Sequence, residues 1–235
     1  NIGVRCRVNF GARRIIGYVV GLAKKSEIKN LKPILELIDE YPLLNKNMLL
    51  LTKELADYYC CSWGEAIETA IPEGLRKGRK IDAQITAVQG AFPTDGSVCL
   101  IHDLDGRARW DIYISEIKKS LENIFSSIII LPDIPEVLRL AEMINRKLGI
   151  VAHILYRKQA LELKEWVGIR LPVAKVVVGT RSAVFAPLDN LGLIIIEDEE
   201  NSVYKQDQVP HYHCREVGFM RARLEKAKLI LGSRS

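Results

Sequence analysis

The sequence lacks an uninterrupted apolar run long enough to cross a membrane, and its first residues do not follow the pattern of a secretory signal. A membrane-spanning helix needs about 20 predominantly apolar residues, and a signal peptide needs a basic start followed by an apolar core. Internal repeats and low-complexity tracts are also missing. We therefore expect a cytoplasmic protein with no membrane partner.

Cysteine is sparse, and the CxxC spacing shared by zinc sites and redox motifs does not occur. This pattern favours buried or free thiols over a zinc site or a disulfide framework, so we expect no structural metal. The cysteines are Cys6, Cys60, Cys61, Cys99 and Cys214.

Excess positive charge is missing from most of the chain. Residues 1–80 contain 14 Lys and Arg against 9 Asp and Glu, whereas residues 81–235 contain 20 of each, so the net charge of +5 lies in the first third. We expect a polyanion to bind there. With 235 residues and 48% apolar content, the chain can form one large domain or two smaller ones.

The first third begins with apolar and polar residues in alternation, which predicts an antiparallel hairpin with one wet face. We further predict a short strand at Leu31–Leu35, a helix from a cap at Asn45 or Asn47 to Cys61, and a short helix at Gly64–Ala70. The wet face of the hairpin is expected to carry Arg5, Arg7, Arg13 and Arg14.

From Val98 onward short apolar strands alternate with amphipathic helices, which predicts a doubly wound parallel sheet. We expect an α/β protein with a small, mainly β domain at 1–80, a linker at 81–97 and this lobe at 98–235. Predicted strands are Val98–Ile101, Ile128–Leu131, Ile150–Leu155, Lys175–Val178, Leu193–Ile196 and Lys228–Leu231. Predicted helices are Trp110–Phe125, Pro135–Leu148, Lys158–Val167 and Cys214–Lys226.

Polar residues follow two of these strands at the edge where open α/β sheets bind ligands. Thr180 and Arg181 come after the first, and four acids follow the second. Such a cluster repels itself unless a cation offsets it, although solvated strand ends are the plainer alternative. The acids are Glu197, Asp198, Glu199 and Glu200.

The segment from Lys175 to Arg215 resembles the first motor lobe of the primosomal replication-restart helicases, the primosomal protein N-prime family. The resemblance implies a RecA-like lobe. The matching residues are Gly179–Ala183, Phe185–Pro187, Asn190–Ile195, Tyr204–Gln206 and Pro210 to Arg215.

The first third is similar to the DNA-binding domain of the same family, through Gly3–Gly11, Gly17–Val20, Leu31–Lys32, Ala56–Tyr59 and Pro72–Gly78. In the family this domain pockets the 3′ end of a nascent DNA strand, and Gly11 and Lys32 stand at matching pocket positions. The family's Phe-Asp pocket motif would precede Asn1. Its winged-helix domain would lie at residues 81–97, a stretch too short to form one.

The family's phosphate loop, HGVTGSGKT, aligns with residues 102–110, where only Gly106 is kept from the loop glycines. Arg109 replaces the lysine, and Trp110 replaces the hydroxyl that would hold Mg²⁺. Asp103 and Asp105 add negative charge where phosphates would lie. A guanidinium fork does not fit the place of a compact ammonium, so the loop predicts a poor phosphate site.

The metal-binding DEEH of the family aligns with residues 197–200, and Glu200 replaces the histidine that would sense the γ-phosphate. The family's closing GSATPS motif is also changed, to GSRS at residues 232–235. We therefore expect a relative that does not hydrolyse ATP. In the alternative, ATP still binds weakly through Gly106 and Arg109, with Mg²⁺ on the acids.

An aromatic and basic loop follows the acids. Aromatic faces beside cations suit stacking on single-stranded bases, and the family uses this loop to couple DNA contact to ATP hydrolysis. The alternative is that the tyrosines pack in the core, and that Arg181 pairs with the acids instead of binding phosphates. The candidate DNA contacts are Arg181, Tyr204, Lys205, Tyr212 and Arg215.

Three functions remain open at this point. The first is a DNA-binding replication-restart protein that recognises branched or 3′-ended DNA with a degenerate motor lobe. The second is an ATP-dependent 3′-to-5′ helicase whose second lobe, with the family's zinc site, lies outside this sequence. The third is an interaction scaffold of the primosome. The resemblance implies DNA forks, 3′ ends and single strands as partners, together with other primosome proteins and single-strand-binding protein.

Overall fold

The computed structural model describes residues 1–81, 96–103, 106–170 and 176–234, without the side chain of Arg107. They form a three-stranded antiparallel sheet and a six-stranded parallel sheet with helices on both faces. The α/β fold class predicted from the sequence, a small β region followed by a doubly wound parallel sheet, is confirmed. No helix in these ranges is long and apolar enough to span a membrane.

The small sheet is the predicted hairpin plus one short strand. Strands β1 (Arg5–Phe10) and β2 (Arg13–Tyr18) pair with Phe10 opposite Arg13, and Gly11 adopts φ +59° in the two-residue turn. This left-handed conformation favours glycine. Strand β3 (Glu36–Leu37) pairs with β1. The strand predicted at Leu31–Leu35 is wrong, because these residues are exposed and only the Leu35 N–H bonds to β1.

Three helices follow, and side chains cap the first two of them. Helix α1 (Lys46–Tyr58) begins after Asn45, whose side chain accepts a hydrogen bond from the Met48 N–H. Helix α2 (Trp63–Ala70) begins with a capping box between Ser62 and Glu65, and α3 (Glu73–Arg76) is a single turn. Caps of this kind satisfy N–H groups that lack partners within the helix.

The large sheet and its helices confirm the predicted alternation, with boundaries shifted by at most four residues. Its strands lie in the order β4-β9-β8-β5-β7-β6, all parallel. The strands are β4 (Val98–His102), β5 (Ser126–Ile130), β6 (His153–Leu155), β7 (Val176–Gly179), β8 (Leu191–Ile196) and β9 (Lys228–Ser233). The helices are α4 (Arg107–Glu122), α5 (Ile134–Leu148), α6 (Glu162–Ile169) and α7 (Cys214–Glu225).

Each face of this sheet has its own apolar core. On one face α4 and α5 cover Ile129 and Ile195. On the other, Ile128 and Ile194 pack in a core that continues without a break into Leu55 of α1 and the rest of the first third. The division at 1–80 and 98–235 stays a prediction, and most of the predicted linker, 82–95, lies outside the described residues.

Candidate functional site

The strand order brings the predicted nucleotide residues to one edge of the large sheet. Strands β4, β9 and β8 are neighbours, so their C-terminal ends meet, and the four acids follow β8 there. Their backbone is fixed by hydrogen bonds from the Glu197 N–H to Ile130 O (3.0 Å) and from the Glu199 N–H to Gly232 O (2.9 Å). We call residues 197–200 the acidic edge.

Arg109 and Glu197 form a fully buried ion pair, both side chains having 0% exposure. Arg109 Nη2 lies 2.5 Å from Glu197 Oε1, and Nε lies 3.1 Å from Oε2. Tyr113 donates its hydroxyl to Oε2 at 2.7 Å. Burial, followed by the Glu197 charge, raises the pKa of Tyr113, so the phenol stays protonated and donates. Burial alone lowers the pKa of Arg109, but Glu197 more than offsets it, leaving that pKa raised.

The other three acids also have partners within the protein. Asp198 Oδ1 lies 2.8 Å from Arg234 Nε, and Glu199 Oε2 lies 2.6 Å from Arg215 Nη1. Glu200 accepts a hydrogen bond from the Ser233 hydroxyl at 3.2 Å. Burial, then the Glu197 charge, raises the pKa of Asp198. The cation that this cluster was expected to need is therefore supplied by the chain's own arginines.

Mg²⁺ and the phosphates of ATP do not fit this arrangement. Gly106 (φ +73°) caps α4 as a phosphate-loop glycine would, but a Cβ placed on it would lie 3.4 Å from Arg109 Nη2. The guanidinium thus lies against Gly106, and it also donates to Asp103 O and Ser233 O. Within the described ranges no three His, Cys, Asp or Glu side chains converge as metal ligands do. Asp105, predicted to repel phosphate, lies outside the described residues.

Tyr204 and Tyr212 are core residues, with 0% and 2% exposure, so the expectation that their faces are free for bases is wrong. Tyr204 donates its hydroxyl to Glu197 O at 2.5 Å, and Tyr212 packs edge-on against Phe185 with ring centroids 5.3 Å apart. Burial raises the pKa of both phenols. The alternative that the tyrosines pack in the core describes them correctly.

The first third also contacts this loop. The Tyr59 hydroxyl of the α1 C-cap accepts from the His213 N–H at 2.9 Å. Arg157 donates to Ile71 O at 2.7 Å, across the two regions. Sequence reasoning missed Tyr59 and Arg157 as contacts between the regions, and no local pattern signals such long-range pairs.

The basic candidates in the same loop are more accessible. Lys205 is exposed, and its Nζ lies 5.5 Å from the centroid of the Tyr59 ring. Arg181 is partly exposed and donates to Val203 O (2.8 Å) and Lys205 O (2.9 Å). The ion pair considered for Arg181 is replaced by these carbonyl contacts. Arg215 is partly exposed and paired with Glu199.

Arg5 is also placed wrongly by the sequence pattern, because it is fully buried and not on a wet face. Its guanidinium pairs with Asp39, with Nε 2.8 Å from Oδ2 and Nη2 2.6 Å from Oδ1. It also donates to Leu75 O (2.5 Å) and Arg79 O (2.9 Å). Arg5 therefore joins the hairpin to the segment that leaves α3.

The remaining basic candidates of the first third do lie at the surface. Arg13, Arg14 and Lys32 are exposed, as is Gly11, and Arg7 is partly exposed and paired with Glu36. Beside them lies a residue that sequence reasoning missed: the Phe10 side chain, with 72% exposure. An aromatic residue directly before the turn glycine was the available signal. We call Phe10, Gly11, Arg13, Arg14 and Lys32 the hairpin surface.

Comparison with known proteins matches both regions. The family model described as the PriA 3′ DNA-binding domain (3′BD) matches residues 1–72. Replication restart protein PriA of Treponema pallidum is 27% identical over 258 residues, covering 99% of this chain and 39% of that protein. PriA of Bacillus subtilis is 34% identical over 138 residues, covering 58% of this chain and 17% of that protein. A solved Pyrococcus furiosus Hef helicase domain aligns with 61% of this chain and 30% of its own length, at 20% identity and a TM-score of 0.40. The chain thus spans about two fifths of the T. pallidum relative.

Proposed function

Because the chain is PriA-like in both of its regions, we propose that it is a DNA-binding replication-restart protein that recognises branched or 3′-ended DNA. The observation that supports this most directly is the match of residues 1–72 to a 3′ DNA-binding domain. The charge distribution agrees, because the net +5 comes from residues 1–80. Electrostatic attraction to phosphates supplies most of the sequence-independent affinity of such proteins.

We assign the DNA contacts to the hairpin surface. Arg13 and Arg14 are exposed at the turn and can reach phosphates, and Lys32 is exposed in the segment that leads to β3. Phe10 offers a ring on which a terminal base can stack, and such stacks contribute about 1–3 kcal/mol per base. The open space around Gly11, where an added Cβ would meet no atom within 4 Å, leaves room for the strand end.

A binding experiment with the whole chain tests this assignment. Fluorescence anisotropy would compare a linear single strand, a forked duplex with a 3′ end and a circular single strand. We expect the two 3′-ended DNAs to bind more tightly than the circle, because only they present a terminus. Equal affinity for the circle would contradict end recognition.

The paired arginines at the turn allow a matched control. The double variant Arg13→Ala/Arg14→Ala should weaken binding and lower the slope of log K against log salt by about 1.4, since each lost single-strand contact contributes about 0.7. Arg139→Ala/Arg146→Ala removes the same charge from exposed positions on α5 and should bind like wild type. Equal weakening by both variants would show that total charge, and not the hairpin surface, determines affinity.

We propose further that DNA binding does not require ATP hydrolysis by this chain. The buried Arg109–Glu197 pair supports this, since it uses both the loop cation and the first acid. DNA-stimulated phosphate release should stay far below the ~1 s⁻¹ or more of working enzymes. Turnover at that rate would instead favour the helicase alternative. Other primosome proteins and single-strand-binding protein remain proposed partners by similarity.

A further inference from the structure

We propose that Arg109 is a built-in cation that replaces the metal ion and phosphates at the acidic edge, so that the ends of strands β4, β8 and β9 are joined without a ligand. This inference deepens the nucleotide part of the proposed function and is independent of DNA binding. The fold places a loop glycine, Gly106, beside a strand that ends in acids, yet the space between them holds the Arg109 side chain.

Every nitrogen of the Arg109 guanidinium is bonded within the protein. Nε and Nη2 donate to Glu197, while Nη1 donates to Asp103 O and Ser233 O. These acceptors follow or end strands β8, β4 and β9, so one side chain connects the ends of three neighbouring strands. A guanidinium has five N–H donors in a fixed fork, and here no nitrogen is left without an internal acceptor.

Glu197 is likewise occupied on both carboxylate oxygens. Oε1 accepts from Arg109, and Oε2 accepts from Arg109 and from the Tyr113 hydroxyl. Gly232 of β9 lies so close that an added Cβ would collide with both the Tyr113 hydroxyl and Glu197 Oε2. A metal ion could therefore reach Glu197 only by displacing Arg109, which would leave a buried guanidinium without its counter-charge.

Exchange of the cation is the testable consequence. If Arg109 stands in for a metal ion, its removal leaves Glu197 buried beside Asp198 without its bidentate partner. Arg234, already paired with Asp198 and with its Nη2 3.8 Å from Glu197 Oε1, is then the remaining cation, and a divalent cation should bind. The test variants are Arg109→Ala and Arg109→Ala/Glu197→Gln. The control is Arg215→Ala, which removes the arginine that pairs with Glu199 of the same edge. The probe is Mn²⁺, followed by the electron paramagnetic resonance signal of the free ion.

We expect Arg109→Ala to bind one Mn²⁺ at least about ten-fold more tightly than wild type, and its melting temperature to rise with Mn²⁺ as binding to the folded state requires. Wild type and Arg215→Ala should show neither effect, and Gln at position 197 should abolish both. The proposal is overturned if wild type binds Mn²⁺ as tightly as Arg109→Ala, or if the loss of Arg109 creates no site.

Two further measurements cover the case in which Arg109→Ala does not fold. The neutral pair Arg109→Met/Glu197→Gln keeps the volume and removes both charges of the buried pair, so it should fold and bind no Mn²⁺. On wild type, a fluorescent ATP analogue with Mg²⁺ should show no saturable binding up to millimolar concentration. Binding that unlabelled ATP displaces would overturn the proposal. Neither result depends on whether the hairpin surface binds DNA.

Discussion

Replacing Arg5 by alanine should lower the free energy of unfolding of the chain without removing a DNA contact. The side chain is fully buried, and its partner Asp39 is only 9% exposed, so the variant leaves an unpaired carboxylate inside the protein. Removing one partner of a buried ion pair costs about 3–5 kcal/mol. The carbonyls of Leu75 and Arg79 also lose their donor, although solvent can reach the second in part.

A loss of about 4 kcal/mol corresponds to a fall in melting temperature of roughly 8–16 °C for a protein of this size. Urea unfolding followed by circular dichroism measures the free energy, and anisotropy with a 3′-ended strand measures DNA affinity well below the transition. Arg13→Ala is the matched control. Because Arg13 is exposed, its stability should change by less than about 0.5 kcal/mol while DNA affinity falls.

A compensating double variant distinguishes a structural role of Arg5 in the core from a role in DNA binding. Arg5→Met/Asp39→Asn removes both charges and keeps an acceptor for the Arg5 backbone N–H, which donates to Asp39 at 2.9 Å in the wild type. It should recover a large part of the stability lost in Arg5→Ala. It should also bind DNA with wild-type affinity. If Arg5→Ala melted like wild type but bound DNA weakly, Arg5 would be a surface contact and the reasoning from its burial would fail.

Two further predictions concern the loop between the acidic edge and α7. Tyr212→Ala should cost about 3–5 kcal/mol through cavity formation, and Tyr204→Phe about 1–2 kcal/mol through the lost hydrogen bond to Glu197 O. Thermal melting should detect both losses, while the affinity of the folded variants for single-stranded DNA stays unchanged. Unchanged melting with weakened DNA binding would instead support base stacking by these tyrosines. Burial, and then the charge of Arg215, lowers the pKa of His213 in the folded state. In the unfolded chain this histidine has a pKa of about 6.5, so just below pH 6.5 the unfolded state binds more protons than the folded state. The free energy of unfolding should therefore fall as the pH drops from about 6.5 through the pKa of His213 in the folded state. His213→Asn keeps a capping side chain and should flatten melting temperature against pH in that window; an unchanged profile would assign the dependence to other groups.

The sequence by itself determined the order of the helices and strands and the family to which they point. Apolar runs such as Val176–Val178 and caps such as Asn45 are local signals, since the side chains that specify the element lie within it. The resemblance also identified Arg109, Trp110 and Glu200 as departures from a nucleotide site. These conclusions needed no knowledge of which elements touch.

The tertiary structure alone decided which charged and aromatic side chains are internal. Arg5 pairs with a residue 34 positions away, and Arg109 with one 88 positions away. Alternation along a strand shows that two faces differ, but it cannot show that Asp39 and the exit of α3 cover the face predicted to be wet. Likewise, the sequence makes Tyr204 and Tyr212 look like a stacking surface, but in the fold Tyr204 bonds to Glu197 O and Tyr212 packs against Phe185. Burial depends on elements distant in sequence, and so the same residue types form a DNA surface at the hairpin turn and a closed core at the acidic edge.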